Sequence, residues 1–160
     1  MIRILIADDH AMVRGGLKQI VATSADIRVV GEAVDGPSTQ AALAQTDCDL
    51  LLLDMTMPGL SGIELIRTLH AAHPALPILV LSMHNEGQIV SRALKAGAAG
   101  YVTKGSEPEV LLAAIRRIAG GESFIDPSLA GTMFVDHGGD DRLPHEVLSE
   151  RELQILKLIA

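Results

Sequence analysis

The chain has 160 residues, of which 48% are hydrophobic and 2% aromatic, so it can form one domain with an aliphatic core and a short appendage. Its net charge of −7 argues against nucleic-acid binding by the bulk of this chain, because phosphate contact needs a basic surface. Cys48 is the only cysteine, so an intrachain disulfide is excluded. The acidic N-terminus and the short apolar runs predict a cytoplasmic protein without a signal peptide or a membrane span.

Five short apolar runs alternate with stretches of helical spacing over the first 120 residues. The runs are Ile2 to Ala7, Val29 with Val30, Leu50 to Leu53, Ile78 to Leu81, and Gly100 to Val102. Apolar runs without period-two alternation are typical of parallel strands that are buried on both faces. Right-handed crossovers would then place helices on both sides of the sheet, which predicts an α/β domain.

The character of the chain changes after residue 120. Residues 121–147 include the glycines, aspartates and proline of Gly138 to Pro144, which predict a flexible linker, with room for a short helix at about Pro127 to Val135. Ser149 and Glu152 form a capping box that opens a last helix, and the chain stops inside it. We therefore predict a domain at 1–120, a linker at 121–147 and the start of a second domain at 148–160.

Polar residues directly follow the apolar runs. Asp8 and Asp9 follow the first, Asp54 ends the third, Ser82 ends the fourth and Lys104 follows the fifth. We expect these side chains to converge, because the carboxyl ends of parallel strands meet at one edge of a sheet. Two carboxylates about 4 Å apart repel by roughly 4 kcal/mol at an effective dielectric of 20, so the cluster needs protonation or a cation. Oxygen ligands favour Mg2+, and zinc is disfavoured because no His or Cys is expected to join the cluster.

Asp54 is the best-placed nucleophile, since it stands alone at the end of the central strand, whereas Asp8 and Asp9 are better placed to hold a metal. An aspartate can form an acyl phosphate, and the metal and Lys104 would neutralise charge on the phosphoryl oxygens. In the alternative interpretations, Asp54 caps a turn before Pro58 and the other polar residues are ordinary loop or surface groups.

One ordered set of residues resembles the receiver domain of bacterial two-component response regulators. The set is Asp8-Asp9, the motif D-M-T-M-P-G-L-S-G from Asp54 to Gly62, Ser82 and Lys104. The segment Leu148 to Ala160 resembles the opening helix of the LuxR-type helix-turn-helix domain. The two together resemble the NarL/FixJ family of transcription regulators. This resemblance implies a flavodoxin-like (βα)5 fold with a five-stranded parallel sheet in the order 2-1-3-4-5.

The resemblance also implies a role for each site residue. Asp54 would accept a phosphoryl group from a phosphohistidine of a sensor histidine kinase. Mg2+ would be bound directly by Asp9, Asp54 and the main-chain carbonyl of Thr56, and through water by Asp8. The remaining roles fall to Lys104, which would pair with the phosphate, Ser82, which would hydrogen-bond to it, and Tyr101, a switch residue moving from exposed to buried.

At the level of the whole protein, the resemblance implies a signalling domain that catalyses its own phosphorylation and dephosphorylation, rather than a turnover enzyme. It allows the protein to form a homodimer on phosphorylation. It implies that DNA is bound only through a complete C-terminal domain and that no membrane is a partner. Gly105 departs from the family pattern, since many receivers have proline after the lysine.

Three other functions compete with this interpretation. A haloacid dehalogenase-type phosphatase needs a second Asp as general acid two residues after the nucleophile, where this chain has Thr56. A flavin or nucleotide module needs a Gly-rich loop after the first strand, where this chain has Asp8-Asp9-His10. A stand-alone receiver that signals by protein contact is disfavoured only if Leu148 to Ala160 begins a DNA-binding domain.

Overall fold

The computed structural model describes residues 1–57, 62–83 and 87–129. Strands and helices alternate along this part of the chain. The strands are β1 (Ile2–Ala7), β2 (Ile27–Ala33), β3 (Leu50–Asp54), β4 (Ile78–Ser82), β5 (Gly100–Thr103) and β6 (Phe124–Ile125). The helices are α1 (Ala11–Ala22), α2 (Gly36–Gln45), α3 (Gly62–Ala72), α4 (Gly87–Ala96) and α5 (Pro108–Ala119), followed by a 3-10 turn at Pro127–Leu129. Among the described residues, no helix is both long and apolar enough to cross a membrane.

The strands form one parallel sheet in the order β2-β1-β3-β4-β5-β6. The predicted order of the first five strands is confirmed, but the prediction of a five-stranded sheet is wrong because β6 extends the edge beyond β5. Gly100 permits this pairing: a Cβ there would lie 2.4 Å from the carbonyl oxygen of Phe124. A two-residue strand carries too little pattern to be recognised in a sequence.

The central strand shows why apolar runs without alternation predicted this sheet. Leu51 and Leu53 point into a core cluster formed with α3 and α4, whereas Leu50 and Leu52 point into a second cluster formed with α1 and α5. All four leucines are at most 1% exposed. Both faces of the sheet are therefore covered, as parallel sheets require.

Residues 124–129 pack against the domain. Ile125 and Leu129 are 2% and 1% exposed and belong to the same core cluster as Tyr101. The 3-10 turn at Pro127–Leu129 lies where the sequence allowed a short helix at about Pro127 to Val135. Residues 130–135 of that helix, residues 130–147 of the predicted linker and the final helix at 148–160 lie outside the described residues, so the domain boundaries stay predictions.

Candidate functional site

The carboxyl edge of the sheet brings three of the predicted site residues into direct contact. Asp8 follows β1 and is 1% exposed, and Asp54 ends β3 and is 2% exposed. The Nζ of Lys104, which follows β5, lies 3.3 Å from Asp8 Oδ2 and 3.2 Å from Asp54 Oδ1. A single ammonium group thus bridges two buried carboxylates, which desolvation would make costly without a positive partner.

Asp8, Asp9 and His10 form an acidic turn after β1, and groups from α1 and β2 hold this turn in place. The backbone N–H of His10 donates to Asp8 Oδ1 at 2.8 Å, which closes the turn. Arg14 Nη1 donates to the Asp8 carbonyl at 2.7 Å, while its Nε donates to Glu32 Oε1 at 3.1 Å. Lys18 Nζ donates to the other Glu32 oxygen at 3.0 Å. Arg14 therefore links the backbone of the acidic turn to an ion-pair network, a role that the sequence analysis missed.

The three carboxylates keep unused acceptor atoms that suit a cation. Asp54 Oδ1 accepts from the backbone N–H and hydroxyl of Thr56 at 3.3 and 3.2 Å. Within the described part of the chain, Asp54 Oδ2, Asp8 Oδ2 and Asp9 Oδ1 are buried and accept no hydrogen bond, although the last two lie at ion-pair distance from a basic side chain. Lys104 balances only one of three negative charges, so the site fits a divalent cation.

His10 also belongs to this cluster, contrary to the expectation that no histidine would join it. Asp8, Asp9, His10 and Asp54 each offer one ligand atom, and these atoms lie within 4.8 Å of one another. His10 Nδ1 is 3.0 Å from Asp9 Oδ1, and the side chain is 60% exposed. The donor set remains dominated by carboxylate oxygens, which favour a hard cation, with one imidazole at the rim. The position of His10 directly after Asp8-Asp9 was the available sequence signal.

Ser82 ends β4 and Tyr101 lies on the neighbouring strand β5, and both are fully buried. Ser82 is paired in register with Thr103, and its carbonyl accepts from the Lys104 N–H at 2.8 Å. Tyr101 lies in the core cluster with Val90 and Leu129, and its predicted role as a switch residue stays a prediction. The Pro58 to Ser61 part of the motif lies outside the described residues.

Asp126 is a second residue that the sequence analysis missed. It is 2% exposed, and its two carboxylate oxygens accept hydrogen bonds from the Lys104 loop and from Ser128. Burial raises the pKa of this carboxyl group, but the bonds from Ser106, Ser128 and Thr103 together outweigh burial and lower the pKa overall. The sequence Asp126-Pro127-Ser128 has the pattern of a side-chain-closed turn, but only the fold places it beside Lys104.

The sequence profile of the response regulator receiver domain matches residues 4–116. The chain belongs to this family. Response regulator UvrY of Escherichia coli K12 is 35% identical over 161 residues, covering 99% of this chain and 74% of the relative. The nitrate/nitrite response regulator NarL of the same strain is 40% identical over 161 residues, covering 98% and 74%.

Solved structures of response regulators have the same fold. A LuxR-family response regulator from Aurantimonas sp. SI85-9A1 superposes with a TM-score of 0.82 at 33% identity, covering 86% of this chain and 99% of that one. RcsB, in a structure of two dimers bound to two parallel DNAs, gives a TM-score of 0.78 at 27% identity, covering 99% and 86%. This chain is thus a response regulator of the LuxR/NarL type, with a flavodoxin-like receiver domain.

Proposed function

We propose that Asp54 is the phosphoacceptor of this response regulator and takes its phosphoryl group from a phosphohistidine of a sensor histidine kinase. The observation that carries this proposal is the contact of the buried Asp54 with the Lys104 ammonium at 3.2 Å, together with the uncommitted Asp54 Oδ2. Oδ2 is the natural attacking atom, because Oδ1 is already engaged by Lys104 and by the hydroxyl and N–H of Thr56.

In this transfer, a bond forms between Asp54 Oδ2 and phosphorus while the phosphorus–nitrogen bond of the donor breaks. The electron pair of that bond returns to the imidazole of the kinase. Lys104 is positioned to pair with a phosphoryl oxygen and so to stabilise negative charge on the transferred group. Ser82, at the end of the adjacent strand, is the proposed hydroxyl donor to the phosphoryl group, and Tyr101, on β5, is the proposed switch residue.

Asp9, Asp54 and the main-chain carbonyl of Thr56 are the proposed direct ligands of Mg2+, with Asp8 as the ligand through water. When bound, Mg2+ supplies positive charge that offsets the carboxylates and the phosphoryl oxygens. The buried carboxylate oxygens without hydrogen bonds support this assignment. The Thr56 side chain donates to Asp54 and has no acidic proton to give a leaving group, which argues against a phosphatase that turns over external substrates. The domain therefore acts on its own aspartate.

The proposed output is control of transcription by the complete protein. RcsB, a relative by structure, has been solved as dimers on DNA. By analogy, we propose that phosphorylation favours a homodimer and that DNA binding needs the complete C-terminal domain begun at 148–160. A stand-alone receiver that signals through protein contact is the alternative, and a complete helix-turn-helix after Ala160 would exclude it.

The test of this function is phosphoryl labelling with a small acyl phosphate in the presence of Mg2+. Intact-mass measurement should show one added phosphoryl group on the parent chain and none on Asp54→Asn, because the amide cannot form the acyl phosphate. Asp49→Asn is the matched control, since Asp49 is a surface carboxylate paired with Arg3 and should label like the parent. Equal labelling of Asp54→Asn and the parent would remove Asp54 from the proposed role.

A further inference from the structure

Asp126 connects the loop that carries Lys104 to the segment that follows β6. Its Oδ2 accepts from the Thr103 N–H at 3.2 Å, from the Thr103 hydroxyl at 3.1 Å and from the Ser106 hydroxyl. Its Oδ1 accepts from the Ser128 N–H at 3.0 Å and from the Ser128 hydroxyl at 2.9 Å. One oxygen thus binds the Lys104 loop, and the other binds the 3-10 turn.

This arrangement requires a carboxylate. Each oxygen of Asp126 faces a backbone N–H group, from Thr103 on one side and from Ser128 on the other, and a backbone N–H can only donate. An asparagine has one oxygen and one NH2 group, so one backbone N–H would face a second donor in either amide orientation. The neutral isostere therefore fits the space but leaves one of these two N–H groups without an acceptor.

The bonds to Oδ2 come from both sides of Lys104. Thr103 precedes Lys104, and Ser106 follows it by two residues, so Asp126 fixes the loop before and after the lysine. The Lys104 N–H is held separately by the Ser82 carbonyl at 2.8 Å. With its backbone fixed in this way, the 12% exposed Lys104 side chain reaches Asp8 and Asp54 at 3.3 and 3.2 Å.

The backbone of Asp126 is also tied to β5. Its N–H donates to the Tyr101 carbonyl at 2.9 Å, and its carbonyl accepts from the Leu129 N–H at 2.9 Å. Leu129 in turn packs in the core cluster that contains Tyr101. The start of the region predicted as linker therefore contacts both the loop of the proposed phosphate-binding lysine and the strand of the proposed switch tyrosine.

We infer that Asp126 is a positioning residue for Lys104 and that it couples the loop of this lysine to the segment after β6. This inference rests on the proposed function, since it assigns Asp126 a role through Lys104 at Asp54. Displacement of the Lys104 loop would misplace the ammonium group relative to the phosphoryl oxygens, and the same displacement would be passed along the chain through Ser128 and Leu129.

The test is a double-mutant cycle on the rate of Asp54 labelling by acetyl phosphate at saturating Mg2+, with the full 160-residue chain. Asp126→Asn should lower this rate by about 10-fold in the parent chain, because a misplaced catalytic group costs rate steeply. In a Lys104→Ala background the same substitution should change the rate by less than about 2-fold, because the two residues act through one step. Mg2+ affinity, measured by calorimetry, should be the same in Asp126→Asn and in the parent.

Two further variants act as controls in the same assay. Ser128→Ala removes a hydrogen bond from the Asp126 oxygen that faces away from Lys104 and should label within about 2-fold of the parent. Ser106→Ala removes one donor from the Asp126 oxygen that faces the Lys104 loop. It should reduce the labelling rate in the parent chain and leave the rate nearly unchanged in the Lys104→Ala background. If thermal unfolding shows that Asp126→Asn does not fold, the Ser106→Ala cycle decides the inference.

The outcomes separate the two proposals. A parent chain that takes no phosphoryl group on Asp54 overturns the proposed function and this inference with it. A parent chain that labels normally, with equal effects of Asp126→Asn in the Lys104 and Lys104→Ala backgrounds, overturns the inference alone, because a purely structural role would act without regard to Lys104.

Discussion

Lys104 is the only basic group, among the described residues, within ion-pair distance of both Asp8 and Asp54. A charge in this position lowers the repulsion between the two carboxylates and is available to a phosphoryl group that enters between them. It does not balance Asp9 as well, so the site without a cation retains excess negative charge. This edge of the sheet is therefore compatible with a bound cation, and we expect the residues that hold the acidic turn to affect cation affinity.

Arg14 is the residue whose substitution should weaken the cation site without removing a proposed ligand. In Arg14→Met, the Asp8 carbonyl loses a hydrogen bond of 2.7 Å from a guanidinium that is 18% exposed. Partners that orient metal ligands typically contribute about 10–100-fold in metal affinity, so we expect Mg2+ to bind at least about 10-fold more weakly. Calorimetric titration with Mg2+ measures this directly.

Lys18→Met is the matched control for Arg14→Met. Lys18 pairs with the same carboxylate, Glu32, at 3.0 Å, but the contact that reaches Asp8 comes from Arg14. The control should therefore bind Mg2+ like the parent chain. If the two variants have the same dissociation constant for Mg2+, the contact between Arg14 and the Asp8 carbonyl does not orient the site. Thermal unfolding with and without Mg2+ gives a second readout, since a bound cation stabilises the folded state.

At the scale of the elements, β6 is the feature that most distinguishes this sheet from the predicted one. Its pairing depends on the missing side chain of Gly100, since a Cβ would lie 2.4 Å from the Phe124 carbonyl oxygen and 2.6 Å from Ile118 Cδ1. The Phe124 carbonyl oxygen is a backbone atom and cannot rotate away, so an alanine at position 100 must push β6 away from β5 or distort this edge of the sheet. The same movement would shift Asp126 from the Lys104 loop.

Gly100→Ala should therefore lower the free energy of unfolding by about 1–3 kcal/mol, the usual cost of overpacking. Gly15→Ala in α1 is the control, because a Cβ there meets nothing within 4 Å, and it should stabilise the chain by roughly 0.4–1 kcal/mol. Urea denaturation compares the two, and Tyr101 provides the signal since the chain has one tyrosine and no tryptophan. A Gly100→Ala chain as stable as the parent would show that β6 contributes little.

The first five strands and the convergence of Asp8, Asp54 and Lys104 were predictable from local pattern, whereas β6 and the contacts of the last segment were not. Leu50 to Leu53 predicts a strand buried on both faces because each residue is apolar, and Asp54 is predicted at the site because strand ends share one edge. Asp126 lies 23 residues from Thr103, and its partners are common hydroxyl and backbone groups with no charge pattern. Such contacts depend on how α5 returns the chain to β5, which no short motif records.

At the scale of the whole molecule, the buried contacts of residues 124–129 lead us to expect that the stable receiver extends beyond the predicted boundary at residue 120. Ile125 and Leu129 are both almost fully buried in the cluster that covers one face of the sheet. Burial of each such side chain contributes about 1.5–3 kcal/mol, so their removal would cost up to about 6 kcal/mol, an upper estimate. Domains are stable by only roughly 5–15 kcal/mol, so this loss is large.

A chain of residues 1–120 should therefore unfold in urea at a much lower midpoint than a chain of residues 1–129. The longer fragment should also label on Asp54 at the rate of the 160-residue chain, because it keeps Asp126 and the three residues that donate to its side chain, Thr103, Ser106 and Ser128. Equal urea midpoints for 1–120 and 1–129 would show that residues 121–129 do not contribute to the stability of the receiver. The expected difference would make residues 121–129 the last part of the receiver, and the first part of the predicted linker that a change at Lys104 would reach.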